Sequence, residues 1–163
     1  MLRMFTSFRE LDFSKLMEVY EESNRENGAE NWPRESEGMQ ILLAEQDFRQ
    51  YLREVFFTTP GAVYGVWVES GRYVSAMRLE PYRDGMLLEA LETAPDSRGK
   101  GSASALIRDM VSHYPGKIYS HIHKRNHPSI KVHLKCGFRR IYDHAVYVDG
   151  SVSHSSSTYL LEV

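Results

Sequence analysis

A glycine-rich hexapeptide, Arg98 to Ala103, joins a strand-like apolar segment to an amphipathic helical pattern. The first N–H groups of a helix have no partner inside the helix and carry partial positive charge, so this junction attracts an anion. Glycines such as Gly99 and Gly101 adopt the positive φ values that turn successive N–H groups towards the anion. The hexapeptide therefore predicts a phosphate-binding turn between a strand and a helix.

Two common phosphate-binding patterns do not fit this turn. A P-loop needs GxxxxGK[ST], and a dinucleotide-binding fold needs GxGxxG followed by an acidic residue about 20 positions later. The chain instead has Arg-x-x-Gly-x-Ala from Arg98 to Ala103. The predicted ligand is therefore neither a P-loop mononucleotide nor a dinucleotide of the NAD type.

This pattern resembles the [Gln/Arg]-x-x-Gly-x-[Gly/Ala] motif of the GNAT superfamily of N-acetyltransferases, which lies where strand four meets helix three. A second segment supports the resemblance, because Asn126 leads into an apolar helical stretch that ends in Gly137-Phe138 with the family's spacing. The resemblance covers about Met86 to Tyr142 well and the rest of the chain by element order only. It implies acetyl-CoA as cosubstrate, with its pyrophosphate at the hexapeptide.

The order of predicted elements also agrees with that family. We expect a strand, two helices, three antiparallel strands, a helix, a strand, a helix and two strands, with Asp12 or Ser14 capping the first helix. The polar segment Asn24 to Glu37, which contains Gly28 and Pro33, is predicted to be a loop. We predict one α/β domain over residues 1–163, with a mixed, mostly antiparallel sheet and helices on both faces. The resemblance implies that strands four and five splay around the cofactor.

Composition narrows the class of protein. A chain of 163 residues with 42% hydrophobic side chains can fill one core. The net charge of -2 lacks the basic footprint that nucleic-acid binding needs. No apolar run is long enough to cross a membrane, no signal peptide is evident, and the one cysteine, Cys136, cannot form an internal disulfide. We therefore expect a cytoplasmic protein that binds neither nucleic acid nor membrane, while a homodimer remains open.

The resemblance assigns further residues to acetyl-CoA. Backbone groups of strand four, here Leu91, Glu92 and Thr93, are expected to hold the acetyl and pantetheine portions. Asn126 is expected to contact the pantetheine arm, although helix capping is an equal alternative for an asparagine there. The residues expected to hold the pyrophosphate are Arg98, Gly99, Lys100, Gly101, Ser102 and Ala103.

Two carboxylates of strand four are candidates for the general base, either directly or through a water molecule. Glu89 and Glu92 are three residues apart, so strict alternation puts them on opposite faces of the strand unless a bulge intervenes. Glu89 is preferred, because many family members carry an acid at its position. Arg78, Glu80 and Tyr82 are expected near the acceptor.

The candidate general acid departs from the family pattern. Many members have a tyrosine four residues before the Gly-Phe pair, placed to protonate the CoA sulfur, whereas this chain has His133. Histidine can donate a proton near neutral pH, and packing in the helix is the alternative role. Tyr142, Tyr147 and Tyr159 are the other candidate donors.

Together these features predict an N-acetyltransferase that moves an acetyl group from acetyl-CoA to a primary amine by direct attack in a ternary complex. The acceptor is a small-molecule or protein amine. One alternative is a non-catalytic acetyl-CoA-binding sensor or regulatory domain. Another is a metal held by His121, His123 and His127, although nothing nearby in the sequence supplies the supporting residues such ligands need, so no metal is predicted.

Overall fold

A seven-stranded sheet runs through the protein, which the computed structural model describes over residues 1–163. The strands of this sheet lie in the order β1-β2-β3-β4-β5-β9-β6, and β7 and β8 form a separate hairpin. They are β1 (Leu2–Phe5), β2 (Val63–Glu69), β3 (Arg72–Tyr82), β4 (Gly85–Thr93), β5 (Lys117–His123), β6 (Arg139–Tyr142), β7 (Ala145–Val146), β8 (Val152–Ser153) and β9 (Ser156–Glu162). All neighbouring pairs are antiparallel except β4 and β5. The predicted mixed, mostly antiparallel sheet is confirmed.

Five helices cover the two faces of the sheet. They are α1 (Phe13–Val19), α2 (Glu21–Asn31), α3 (Glu37–Glu54), α4 (Ser102–Val111) and α5 (His127–Lys135). On one face, Leu16 of α1 and Leu52 of α3 pack in one core with Tyr64 of β2. On the other face, Leu106 of α4 packs in a second core with Met77 of β3. Each of these leucines is fully buried, and such burial contributes about 1.5–3 kcal/mol.

The loop predicted from Asn24 to Glu37 is wrong for most of its length, because α2 continues to Asn31. This helix has almost no apolar stripe, so its sequence carries no helical periodicity. It is helical because it packs along α3 at Gly28, where an added Cβ would lie 2.5 Å from the backbone oxygen of Gln40. Packing against α3 therefore makes this segment helical, although its local sequence favours a loop.

Gly28→Ala should destabilise the fold by about 1–3 kcal/mol, because the methyl group forces α2 and α3 apart. Gly38→Ala is the matched control, since Gly38 lies in the first turn of α3 and an added Cβ there meets no atom within 4 Å. The control should be neutral or stabilised by up to about 1 kcal/mol. Urea unfolding of both variants measures this, and equal stabilities would contradict the packing account.

The strand β4 departs from regular pairing with each of its two neighbours, β3 and β5. In the ladder with β3, Arg78 pairs with Glu89 and Ala76 pairs with Glu92, so an extra residue is inserted in β4 between these pairs. This is a β-bulge, and within it Ala90 has a φ of +50°. In the ladder with β5, pairing extends only from Gly85 to Leu88. Beyond that point β4 and β5 are no longer hydrogen-bonded neighbours, which confirms the predicted splay.

Buried tyrosines support the bulge. The hydroxyl of Tyr64 donates to that of Tyr20 at 2.7 Å, and the hydroxyl of Tyr20 donates to the carbonyl oxygen of Ala90 at 2.6 Å. A non-glycine residue at positive φ is strained and persists only where its surroundings hold it. The hydroxyls of Tyr64 on β2 and Tyr20 at the end of α1 therefore stabilise the positive φ of Ala90.

Candidate active site

A cleft of about 710 Å³ opens where β4 and β5 part. Its walls are the last residues of β4, the turn into α4, and one side of α5 along its length, and Glu22 and Glu26 of α2 also line it. Among the residues expected to bind the cofactor, all but Lys100 line this cleft: Leu91, Glu92, Thr93, Arg98, Gly99, Gly101, Ser102, Ala103 and Asn126. The structure therefore brings together two motifs that are more than 20 positions apart in the sequence.

The turn before α4 has the geometry of an anion cradle. Gly99 and Gly101 have φ values of +75° and +86°, and an added Cβ at either would meet no atom within 4 Å. Gly101 is the N-cap of α4, and no side chain caps the first N–H groups of this helix. These groups are available to an anionic ligand, and the helix dipole favours its charge.

Two cations of the hexapeptide are held by neighbouring groups. Lys100 Nζ donates to the backbone oxygen of Asp96 at 3.0 Å. Arg98 donates through Nε to the backbone oxygen of Thr93 at 3.3 Å and forms a close ion pair with Glu22 of α2. The Arg98 guanidinium, which lines the cleft, is therefore already engaged by a carboxylate.

Asn126 begins α5 beside this turn. Its Oδ1 accepts a hydrogen bond from the backbone N–H of Ser129 at 3.2 Å, so it caps the helix as its alternative role requires. The residue also lines the cleft, so capping the helix does not take it away from the cleft wall. Lys131 and Lys135 of α5 line the same wall. They were missed in the sequence analysis, because a lysine on a helix is usually a solvated residue.

Glu89 and Glu92 lie on one face of the sheet, because the bulge between them restores their alignment. Their ladder partners, Arg78 and Ala76, are two residues apart and therefore share a face. Strict alternation would place Glu89 and Glu92 on opposite faces, and that expectation is wrong. The exception stated for it, a bulge between the two residues, is what the structure shows. This face is the one covered by α1 and α3.

The two carboxylates differ in their surroundings. Glu92 Oε2 accepts a hydrogen bond from the Ser23 hydroxyl of α2 at 2.8 Å. Glu89 Oε2 is buried without a hydrogen-bond partner, and its nearest cation, Arg78, is 3.9 Å away. The pKa of Glu89 is raised to about 7, mainly by burial, while the charge of Arg78 opposes the rise and the hydrogen bonding and charge of the neighbouring Glu80 carboxyl add to it. Glu89 is thus poised to exchange a proton near neutral pH.

Arg78 is immobilised by aromatic rings. Its guanidinium carbon lies 4.8 Å from the ring centre of Tyr51 and 5.6 Å from that of Phe56. Cation–π contacts of this kind strengthen when water is excluded, and the Arg78 side chain is only 14% exposed. Arg78 and Glu80 share a face with Glu89, as expected for the acceptor side.

His133 does not reach the cleft. It is 1% exposed, and its Nδ1 lies 2.8 Å from the backbone oxygen of Ser129, which can only accept a hydrogen bond. Nδ1 therefore carries the proton, and Nε2 accepts from the Ser120 hydroxyl at 3.0 Å. Burial also lowers the pKa of His133. The ring ties β5 to α5 and packs edge-on against Phe138, which agrees with its alternative role in packing.

The other proton-donor and metal hypotheses have clear positions in the structure. Tyr142 is 47% exposed, Tyr147 is 38% exposed, and Tyr159 is buried in the core around α4. His121 and His123 are on one face of β5, as predicted, but no three histidine, cysteine, aspartate or glutamate residues are grouped so as to hold a metal ion. The three-histidine metal hypothesis therefore has no supporting geometry.

Comparison with known proteins identifies the class. The sequence profile of the Acetyltransferase (GNAT) family matches residues 14–138. This match spans well over half of the chain, so the chain belongs to the GNAT family of acetyltransferases. No curated protein sequence matches it significantly. No helix of the structure has both the length and the apolar character needed to cross a membrane.

Solved structures of similar fold are distant in sequence. PaiA N-acetyltransferase from Thermoplasma acidophilum, in complex with coenzyme A, is 13% identical with a TM-score of 0.63, covering 100% of this chain and 99% of that one. The IAA acetyltransferase from Bacillus cereus is 14% identical with a TM-score of 0.61, covering 100% and 99%. The ribosomal-protein-S18-alanine N-acetyltransferase from Escherichia coli is 14% identical with a TM-score of 0.58, covering 99% and 93%. At identities this low, the TM-scores show a shared fold.

Proposed function

We propose that this chain, acting as one domain over residues 1–163, transfers an acetyl group from acetyl-CoA to a primary amine by direct attack in a ternary complex. The observation that carries the proposal is an uncapped, glycine-lined helix N-terminus at the cleft, together with a buried carboxyl that has one unpaired oxygen, Glu89, two residues before the first cleft residue of β4, Leu91. Family membership supports acyl transfer, and the coenzyme A held by the Thermoplasma relative supports the cosubstrate. The acceptor is a small-molecule or protein amine.

The chain's own residues would bind and orient the cofactor. The N–H groups of the turn from Gly99 to Ala103 suit a pyrophosphate, because Gly99 and Gly101 carry no side chain and the space beside them is open. Beyond Leu88, the edge of β4 that faced β5 has no strand beside it, so its backbone groups suit an extended pantetheine arm. Acetyl-CoA supplies an activated thioester. The protein therefore has to position the amine and move one proton.

Glu89 is the residue that we assign to proton transfer. Its buried Oε2 has no protein partner, and its pKa of about 7 lets it accept a proton from the attacking nitrogen. Glu92 is held by Ser23 and is assigned to fixing α2 against β4. No covalent acyl-enzyme is needed, because the thioester is already activated.

His133 is assigned a positioning role in this mechanism. It connects Ser120, the last residue of β5 paired with β4, to the first turn of α5, and so fixes the point where the strands part. An alkyl thiol of the cysteine type has a pKa of about 8.5, so the leaving thiolate can take its proton from solvent.

The proposal is tested in two steps on purified, cofactor-stripped protein. Calorimetric titration with acetyl-CoA should show saturable binding, and release of free thiol should then be followed with a panel of primary amines. Binding with amine-dependent thiol release supports the transferase. Binding without release for any small or peptide amine would favour the sensor alternative, and no binding to folded protein would contradict both.

Glu22→Gln should tighten acetyl-CoA binding by about 2- to 5-fold, because the Arg98 guanidinium is freed from an exposed ion pair. Glu26→Gln is the matched control, since Glu26 lines the same cleft from the same helix, whereas the ion pairs of this helix involve Glu21, Glu22 and Arg25. It measures the general effect of removing one negative charge. Calorimetry of both variants gives the result, and an equal gain for both would show that the Arg98 pair is not responsible.

A further inference from the structure

Three buried side-chain nitrogen or oxygen atoms make no hydrogen bond in this structure: Arg78 Nε, Glu89 Oε2 and His121 Nε2. They belong to the adjacent strands β3, β4 and β5. The register places all three side chains on one face of the sheet. Arg78 is directly opposite Glu89. Leu87 is opposite Tyr119, and Glu89 and His121 each follow two residues later on their strands, so they share a face as well. Folded proteins keep few unpaired buried polar atoms, so their grouping on one face indicates a ligand.

Two of these atoms stand at the opening between the strands. The last pair of the parallel ladder is Leu88 with Ser120. Glu89 and His121 are the next residues on either strand, so they flank the start of the splay on the acceptor face. A carboxylate oxygen and a neutral imidazole nitrogen can each accept a hydrogen bond, and a primary amine has two N–H groups to donate.

The ring of His121 is held in place by its neighbours. Tyr82 and Tyr147 contact it edge-on, with ring centres 5.5 and 5.3 Å away and interplanar angles of 84° and 89°. Burial, together with the smaller effect of the Arg83 charge, lowers the pKa of His121 to about 4. The ring is therefore neutral at physiological pH, and in the tautomer with the proton on Nδ1 its Nε2 lone pair is free.

We propose that His121 binds the attacking amine opposite Glu89, with its Nε2 accepting one N–H of the acceptor while Glu89 Oε2 accepts the other. This inference rests on the proposed function and extends it to a residue on the second strand of the splay. The proton released when nitrogen bonds to the acetyl carbon goes to Glu89, and the sulfur leaves as thiolate. His121 neither gains nor loses a proton, and its role is to fix the orientation of the nitrogen.

Two substitutions separate hydrogen bonding from packing. His121→Phe keeps an aromatic ring between Tyr82 and Tyr147 but removes the nitrogen, so kcat/KM for the amine should fall by about 10- to 100-fold. The acetyl-CoA Kd should not change, because the residue faces the acceptor side. His121→Gln restores a polar atom near the position of Nε2 and should recover part of the loss.

His123→Gln is the matched control, since His123 lies two residues further on the same face of β5 and is exposed. Its kcat/KM should stay within about twofold of the wild-type value, as is usual for a surface change. The amines used are phenethylamine, glycinamide and lysine methyl ester. A His121→Phe enzyme with wild-type kcat/KM for every accepted amine would overturn the proposal.

A binding measurement tests the proposal without turnover. In protein labelled with ¹⁵N-histidine and saturated with CoA, titration with the same amines should shift the ring nitrogens of His121 and leave those of His123 unchanged. Absence of a His121 shift would overturn the proposal, and this result stands even if His121→Phe fails to fold. Failure of the proposed function is distinct, because it appears as wild-type protein that does not bind acetyl-CoA or never releases thiol.

Discussion

Gly101→Glu is expected to abolish measurable acetyl-CoA binding, with Kd rising at least about 100-fold. Gly101 is the N-cap of α4, at a φ of +86°, and open space surrounds the position where a side chain would begin. A glutamate there has room to extend, so its carboxylate would occupy the space that the phosphates need. It would also place a negative charge at the helix end where they would bind.

Backbone strain has to be separated from this charge effect. A non-glycine residue in the left-handed region costs about 1–2 kcal/mol, so any substitution at Gly101 disturbs the turn to some degree. Gly101→Ala carries the same strain without the charge, and it should weaken binding by only about tenfold. Calorimetry of the two variants gives the comparison. If the alanine variant loses as much affinity as the glutamate variant, turn geometry and not charge governs the site.

Glu89→Gln should lower kcat by about 10²- to 10³-fold and leave the acetyl-CoA Kd unchanged, because it removes the proposed base and keeps its size. The pH dependence follows from the same group. Glu89 must be ionised to accept a proton, and its pKa is raised to about 7, so wild-type kcat/KM should rise with pH through about 7. The kcat/KM of the Glu89→Gln variant should not show this rise with pH. Glu92→Gln is the matched control on the same face, and it should lose no more than about tenfold.

Stability measurements distinguish a lost base from a damaged fold. The folded-state pKa of Glu89 lies above its ordinary value of 4.5, so the folded state binds the proton more tightly than the unfolded state. The stability linked to this proton is present below pH 4.5 and is lost as pH rises through about 7. Glu89→Gln should therefore have a higher Tm than wild type at pH 8, and this gain should disappear at pH 4. Lost activity with a lower Tm at pH 8 would indicate a structural role instead.

The parts of this molecule that were predictable from sequence are those that depend on neighbours along the chain. Positive φ at Gly99 and Gly101 follows from residue type, and Asp12 caps α1 as its side chain predicts, accepting from the Lys15 N–H at 3.2 Å. The order along the chain of the seven strands in the main sheet follows from alternation and turn residues, whereas the separate β7–β8 hairpin was not predicted. In these places local chemistry and tertiary structure favour the same answer.

Long-range contacts decide the parts that sequence did not reveal. The helix α2 exists because Gly28 packs against Gln40 of α3, and the bulge in β4 is held by hydroxyls of Tyr20 and Tyr64. No local pattern marks either contact. The burial of His133 was also not predictable from sequence, because its hydrogen bond with Ser120 depends on how α5 packs against β5.

The inserted residue in β4 is what aligns the two carboxylates of this strand. Between the pairs Arg78–Glu89 and Ala76–Glu92, β4 has two residues where β3 has one, so Glu92 shares a face with Glu89 although the two are three positions apart. A single deletion between Glu89 and Glu92 would let the strands pair regularly and would keep Glu92 opposite Ala76, but it would remove the bulge whose carbonyl group Tyr20 holds at Ala90. Among distant relatives, a strand that lacks the bulge should therefore carry its two aligned positions two residues apart instead of three.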